Sequence, residues 1–537
     1  MAVSPDRALP YYAYDGYLIS LSPWQGQRVA LLTQASDLDG DVMEAILGRI
    51  DAAYDVYAKI TGQIPAPYKL YNGLVSIAEV PTALGGAASA IGYLGASGIE
   101  LTTGAFDQLY AGAADDGRFE QTIFYELGRN FWFYGPQLGS VDAFVTGFAI
   151  ANRFVSMQEA GIVGSPFGGL PFDEFKTSIL EDLAQTFFQD TNYTLANTLG
   201  AGAGVPNPDN WGAADLAASL LYQVYEDFGV ETYARFFQDL ALRPAAGMPA
   251  EAFGNLVGAA TQATGIDYGF LNKGEGIAYI VGGREADRLQ ADDSGRPVLG
   301  FGGDDTLIGT DGADRLFGDG GDDILRGRGG DDQLVGGAGD DTYVVDTAGD
   351  QVFEGVGQGT DRLVATSSYQ LAAGQEIEIL QLARSTGREP LALTGNAFDQ
   401  TLIGNAGGNR LDGGAGDDIL AGKRGADWLT GGAGADTFVF DTRPGHGTVD
   451  HITDFSSQDD VLRLDHRVFS SLEIGILASA QFKNLDEAGP DADDRLLYRQ
   501  QTGELFYDSD GSGRKAAVLI AILDNHASLD HADVFVV

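Results

Sequence analysis

Apolar residues at Met43, Ile46, Leu47, Ile50, Tyr54 and Tyr57 recur with a period near 3.6, the spacing of a helix with one buried face. Ser36 and Asp37 precede this segment as candidate caps. Comparable periods predict helices over roughly 118–134, 142–159, 173–190, 213–228, 230–242 and 250–263. Between the first two helices, K-L-Y-N-G-L-V-S-I and G-I-E-L-T-T read as short strands separated by a Gly/Ala-rich stretch. The predicted unit, 1–280, is an α+β domain with a small sheet first and a mostly helical half after it.

Past residue 280 the period changes to nine. From Gly300 the chain reads GFGGDDTLI, GTDGADRLF, GDGGDDILR, GRGGDDQLV, GGAGDDTYV. Gly303, Gly312, Gly321, Gly330 and Gly339 hold the fourth position, and Asp305, Asp314, Asp323, Asp332 and Asp341 the sixth. The eighth is Leu307, Leu316, Leu325, Leu334 and Tyr343. GGREADRLQ (282–290) is in phase upstream, and 291–299 is a degraded repeat with Arg296 at the Asp position. A second block begins at Gly395: GNAFDQTLI, GNAGGNRLD, GGAGDDILA, GKRGADWLT, GGAGADTFV. Its fourth positions include Gly416, Gly425 and Gly434, and its sixth are Gln400, Asn409, Asp418, Asp427 and Asp436.

Glycines at the first and fourth positions allow backbone angles that side chains oppose, so six residues can curl into a turn with exposed carbonyls. The last three form a short strand whose large apolar side chain points inward. Two repeats then make one coil of eighteen residues, and Asp305, Asp323 and Asp341 stack on one edge while Asp314 and Asp332 stack on the other. Carboxylates and carbonyls alone make an oxygen cage suited to Ca²⁺, with Asn409 a weaker, uncharged donor.

The nonapeptide resembles the calcium-binding repeat of RTX (hemolysin-type) proteins, over about 282–537. That resemblance implies a parallel β-roll in two blocks, 281–344 and 395–440, separated by a β-strand insert over 345–394. It also implies a β-rich C-terminal cap over 441–537, an uncleaved C-terminal export signal around A-D-V-F-V-V, and type I secretion machinery as partner.

Composition sharpens this. The chain of 537 residues has no cysteine and a net charge of −45, which excludes disulfides and thiolate metal sites and disfavours nucleic acid. Residues from 281 onward hold 46 acidic and 20 basic side chains, a charge of −26. No stretch approaches the roughly 20 apolar residues of a membrane span. The first ten residues show no cleavable signal peptide, so a secreted destination needs another address. The expected mechanism is a repeat region that resists compaction until several Ca²⁺ ions neutralise its Asp ladder outside the cell.

In the first half, T-I-F-Y-E-L-G-R-N-F-W-F (122–133) places Tyr125, Glu126 and Arg129 where a zinc-peptidase helix carries H-E-x-x-H. E-L-G-x-N-F, the segment 220–237 and A-S-A-I-G-Y-L-G-A-S-G-I-E-L resemble zincin peptidases, gluzincins in particular, across about 65–245. Yet residues 1–445 contain no histidine, Arg cannot ligate zinc, and Asp142 is the lone acid from 127 to 158. The expectation is therefore a peptidase-like scaffold with vestigial Tyr125, Glu126 and Arg129, no catalytic residues and no zinc. A competing class is an exported hydrolase with other chemistry around Glu126.

Weaker features read as structural. Asp115–Asp116, Glu181–Asp182 and Glu226–Asp227 are expected on solvated faces, and D-L-D-G-D (37–41) is expected to cap a helix rather than open an EF-hand. D-S-D-G-S-G (508–513) is a candidate for one extra Ca²⁺. Taken together, the chain reads as a multidomain, secreted, calcium-binding protein. Its expected role is as an extracellular binding, surface-layer or matrix component that meets surface or matrix polymers, or itself.

Overall fold

The computed structural model describes residues 8–83, 89–167, 169–266, 268, 271, 279–384, 387–445, 449–511 and 515–537. The chain forms two compact units, Met1–Val281 and Gly282–Val537.

The first unit opens with strands that the periodicity did not predict: β1 (Leu9–Tyr12), β2 (Leu18–Gln25) and β3 (Val29–Thr33). They join β4 (Leu70–Tyr71), β5 (Leu74–Val80), β6 (Ala90–Gly92) and β7 (Ile99–Thr102) in a sheet ordered β1-β2-β3-β5-β7-β6, with β4 beside β5. The three central strands run parallel, and β6 lies antiparallel to β7 at one edge. Every residue of β3 is buried, as expected for a strand covered on both faces.

Helix α1 (Gly40–Thr61) buries Met43, Ile46, Leu47, Ile50 and Tyr57. Its cap is Asp39, whose carboxylate accepts from Asp41 N and Val42 N, so the acidic run starts a helix. The remaining helices are α2 (Thr103–Asp115), α3 (Thr122–Asn130), α4 (Gly135–Leu138), α5 (Ala143–Glu159), α6 (Phe172–Leu180), α7 (Asp182–Gln189), α8 (Ala213–Leu242) and α9 (Pro249–Thr264). The two helices expected over 213–228 and 230–242 meet within α8 at Gly229, whose φ of 67° and ψ of 175° leave the helical region. Because α8 is buried along much of its length, Asp227 is buried as well, contrary to the solvated face predicted for it.

In the second unit, strands eighteen residues apart pair in parallel and in register. Thr306–Ile308 pairs with Ile324–Arg326, and Leu316 sits beside Leu334. Leu307, Leu316, Leu325, Leu334 and Tyr343 are fully buried, and so are Leu402, Leu411, Leu420 and Phe438. Each such leucine contributes about 1.5–3 kcal/mol when fully buried. The stretch predicted as an insert carries one face of the roll onward. Arg362–Ala365 and Ile379–Leu382 continue one sheet face from the first block to Thr401–Ile403 of the second. On the opposite face the strands fall into two separate sheets. Val534–Val536 pairs in parallel with Val461–Leu464, extending the continuous face.

Candidate metal centres of the repeat region

Positions four and six of the nonapeptide are held for different reasons from position one. Gly303, Gly321, Gly330, Gly339, Gly416, Gly425 and Gly434 have φ between 97° and 141°, where a side chain is strained. A Cβ on Gly339 would stand 2.2 Å from the Gly321 carbonyl oxygen one coil earlier. Gly312 differs: it is outside the left-handed region, and a Cβ there would meet nothing closer than Thr310 Oγ1 at 3.6 Å.

The first-position glycines are not required by backbone angle, as the sequence suggested, but by space. A Cβ on Gly300 would lie 2.4 Å from Asp305 Oδ2 and 2.6 Å from the Gly318 carbonyl oxygen. Gly318, Gly327, Gly413, Gly422 and Gly431 repeat this relation with Asp323, Asp332, Asp418, Asp427 and Asp436 at 2.1–2.3 Å. Each turn thus keeps open a small space bordered by a carboxylate oxygen, with a carbonyl of the next coil beside it at Gly300, Gly318 and Gly413.

The Asp side chains divide their two oxygens. Oδ1 accepts the amide of the sixth residue one coil earlier: Asp287 N to Asp305, Asp305 N to Asp323, Asp323 N to Asp341, and Asp314 N to Asp332, at 2.6–2.8 Å. Gln400 N to Asp418, Asp418 N to Asp436 and Asn409 N to Asp427 do the same in the second block. Oδ2 of Asp305, Asp323, Asp332, Asp341, Asp418, Asp427 and Asp436 is buried and has no hydrogen-bond partner. Buried carboxylate oxygens left this way are costly unless a proton or a cation meets them.

Their acidity reports the same cost. Burial, reinforced by neighbouring carboxylates, pushes Asp305 and Asp332 up to about 7, Asp323 to about 8 and Asp341 to about 9. Burial does the same for Asp418 at about 7 and for Asp427 and Asp436 at about 6. All-oxygen donors beside a vacated Cβ position fit a hard divalent cation such as Ca²⁺, which would bring the positive charge these groups lack.

Two predicted ligands depart from the set. Asp314 Oδ2 accepts from Thr310 N at 2.6 Å and Thr310 Oγ1 at 2.9 Å within its own repeat, and the coil before it is the degraded one. There Arg296 is ion-paired with Asp292. Asn409 Oδ1 accepts from Asn405 N at 2.8 Å, so its oxygen is spent inside its own turn, while its amide donates to Asn405 Oδ1 at 3.1 Å and to the Leu391 carbonyl at 3.4 Å. Gln400 likewise accepts from Asn396 N at 3.0 Å.

Other carboxylates extend the ladders beyond the repeats. Asp350 Oδ1 accepts from Asp332 N, Asp361 Oδ1 from Asp341 N, Asp450 Oδ1 from Asp427 N and Asp460 Oδ1 from Asp436 N. All but Asp350 stand 20–24 residues from their partners, outside a strict period. The signal available for them is an acid placed just before a short apolar strand. In the 508–513 turn, Ser512 and Gly513 lie outside the described residues, and Asp510 N donates to Asp508 Oδ1 at 3.1 Å.

The family described as RTX calcium-binding nonapeptide repeat (4 copies) matches residues 299–334, 308–343, 319–351, 394–429 and 416–442. The chain carries RTX calcium-binding repeats. No curated protein sequence matches the chain. Among solved structures, the crystal structure of extracellular lipase LipA from Serratia marcescens is similar to 46% of this chain at 22% identity, with a TM-score of 0.11. That likeness spans 41% of the lipase chain. Among the described residues, no helix is long and apolar enough to cross a membrane.

In the first unit, Tyr125 and Arg129 lie half-buried one turn apart on α3, and Glu126 between them is buried. Glu126 Oε2 accepts the amide of Gly92 in edge strand β6 and faces Arg129 Nε at 3.5 Å. Burial holds the Glu126 carboxyl above the usual range, while Arg129 and the Gly92 amide oppose the shift. Asn130 Nδ2 donates to the carbonyls of Tyr93 and Gly98, so the motif fastens the helix to the edge of the sheet. Gly128 is set by packing: a Cβ there would come 2.9 Å from Tyr57 Oη and 3.1 Å from Ala149 Cα. Asp142 is exposed at the start of α5.

Proposed function

We propose that the protein is a secreted calcium-binding protein whose second unit reaches its stable fold on taking up several Ca²⁺ ions. The observation that carries this reading is the set of seven buried Asp Oδ2 atoms without partners, each beside the space of a missing Cβ. Asp305, Asp323 and Asp341 on one edge, Asp332 on the other, and Asp418, Asp427 and Asp436 in the second block are the proposed ligands, joined by carbonyls of the turns. Bound Ca²⁺ supplies the positive charge that lets these carboxylates ionise in a dry interior. Titrating chelator-stripped protein with Ca²⁺ while following circular dichroism tests it, since a roll fully formed in chelator overturns the reading.

RTX repeats are typical of type I secreted proteins, and a charge of −26 from residue 281 onward favours an extended chain where calcium is scarce. For the first unit the reading is a zincin-like scaffold without catalytic metal. A mixed sheet whose edge strand β6 runs antiparallel to β7, and a motif helix fastened to that edge, support it. In this reading Arg129 and Gly92 N hold Glu126 as a structural anion, and the protein acts by binding surface or matrix polymers or its own copies. Proteolysis by the purified protein that disappears in Glu126→Gln would overturn the non-catalytic assignment.

A further inference from the structure

The eighteen-residue register can be followed past the last matching turn of the first block. Gly300, Gly318 and Gly336 open successive coils on one edge, and Val335 pairs with Phe353 in the next strand. The residue after Phe353, where a first-position glycine is due, is Glu354. It is buried, at 4% exposure, and so are Asp341 and Asp361, both at 1%.

A second departure lies opposite. Tyr343 occupies an eighth position that is leucine in the four preceding repeats, and its hydroxyl donates to Glu354 Oε2. Glu354 Oε1 accepts from Gly355 N at 3.0 Å, and Glu354 N donates to Gln375 Oε1 at 2.6 Å. The Glu354 carboxylate is therefore held in place from several sides. One oxygen each of Asp341, Glu354 and Asp361 lies within 4.8 Å of the others. Asp361 Oδ1 accepts the Asp341 amide at 2.8 Å, while Asp341 Oδ2 is buried without a partner. A Cβ on Gly336 would fall 2.2 Å from that Asp341 oxygen and 2.1 Å from the Tyr343 hydroxyl, so the space of the ladder is retained here.

We propose that Asp341, Glu354 and Asp361 form a terminal divalent-cation site distinct from the repeating ones, tighter than they are and first to fill. The inference rests on the reading of the ladder as calcium-binding. A ladder position offers Asp oxygens with backbone carbonyls, whereas this one adds a side-chain carboxylate where the repeat has glycine. Three carboxylates this close in a dry interior repel one another strongly unless a cation lies among them. Affinity for Ca²⁺ rises with ligand charge count and with rigidity, and this site has more of both. Hard oxygen donors of this number favour Ca²⁺ over softer transition metals.

The test uses the full chain, stripped of calcium and titrated against a chromophoric chelator. The wild type should show one tight step before the remaining ions bind. Glu354→Gln and Glu354→Gly should weaken that step by about tenfold or more. Glu354→Gly, which restores the repeat residue, should keep the total number of ions. Asp323→Asn should lower the count and leave the first step in place. Terbium emission excited through tyrosine should fall in Tyr343→Phe, because the phenol lies against the site. If both Glu354 variants retain the first step, or Tyr343→Phe leaves the emission unchanged, the terminal site is refuted while the ladder stands. Absence of any calcium binding in the wild type would instead remove the ladder reading, and this inference with it.

Discussion

The amide of Asp305 donates to Oδ1 of Asp323, 2.7 Å away and eighteen residues further along the chain. Asp323 repeats the relation with Asp341 at 2.8 Å. Each carboxylate thus supports the coil before it with one oxygen and leaves the other without a hydrogen-bond partner, where the proposed cation would bind. Folding of the turn and construction of the ligand are one event.

The two roles can be separated by substitution. Asp323→Asn keeps an oxygen for the Asp305 amide but removes the charge. It should raise the calcium midpoint roughly tenfold, yet make the calcium-free roll easier to form. Asp323→Ala also strands a buried N–H, which costs about 1–3 kcal/mol more. Urea unfolding with and without calcium compares the two variants; equal stability in calcium would contradict the division of labour.

Protons compete for the same oxygens. In the folded, calcium-free chain burial raises Asp323 to about 8 and Asp341 to about 9, well above their unfolded values. Groups raised on folding favour the folded state below the unfolded pKa, and that contribution is lost as pH climbs through the folded value. In chelator, then, thermal stability of the second unit should be higher at pH 4–5 than at pH 9. Calcium affinity should move the other way, weakening as pH falls from 9 to 6. Melting curves in EGTA that are flat across this range would exclude the mechanism.

Glycines of the same repeat position should differ in tolerance. Gly321→Ala places a side chain at φ 122° and 2.5 Å from the Gly303 carbonyl oxygen, so a loss of about 1–3 kcal/mol is expected. Gly312→Ala meets open space at an ordinary angle and should stay within about 0.5 kcal/mol of wild type. Denaturant midpoints in millimolar calcium measure both.

In the first unit, Gly128→Ala should cost about 1–3 kcal/mol by driving α3 off Tyr57 and Ala149. Arg129→Ala should also lower the melting temperature, because buried Glu126 loses its cationic neighbour. An Arg129→Ala protein as stable as wild type would show that the ion pair contributes nothing.

The repeat was legible because each of its recurring positions answers a local requirement: a turn, a vacated space, a carboxylate, an inward apolar group. The coils outside the strict nine-residue period were harder to read. Asp361, Asp450 and Asp460 accept from the coil before them as Asp323 does, but their spacings of 20, 23 and 24 residues from their partners break the count. Asn409 and Asp314 fit the pattern by position, whereas a side-chain oxygen of each is taken up by Asn405 and Thr310. In the first unit the amphipathic helices could be read, but β1, β2 and β3 could not. Helix α2 was hidden because Thr102, the last residue of a readable strand, also caps it.

Val534 and Val536 are fully buried and hydrogen-bonded beside Leu462 and Leu464. A receptor that reads Val534 and Val536 must meet them before the strand pairs, whereas Ala532, Phe535 and Val537 of the same stretch stay exposed. In the secreted reading proposed above, address and architecture would share these residues, and completing the sheet would hide only their inward half.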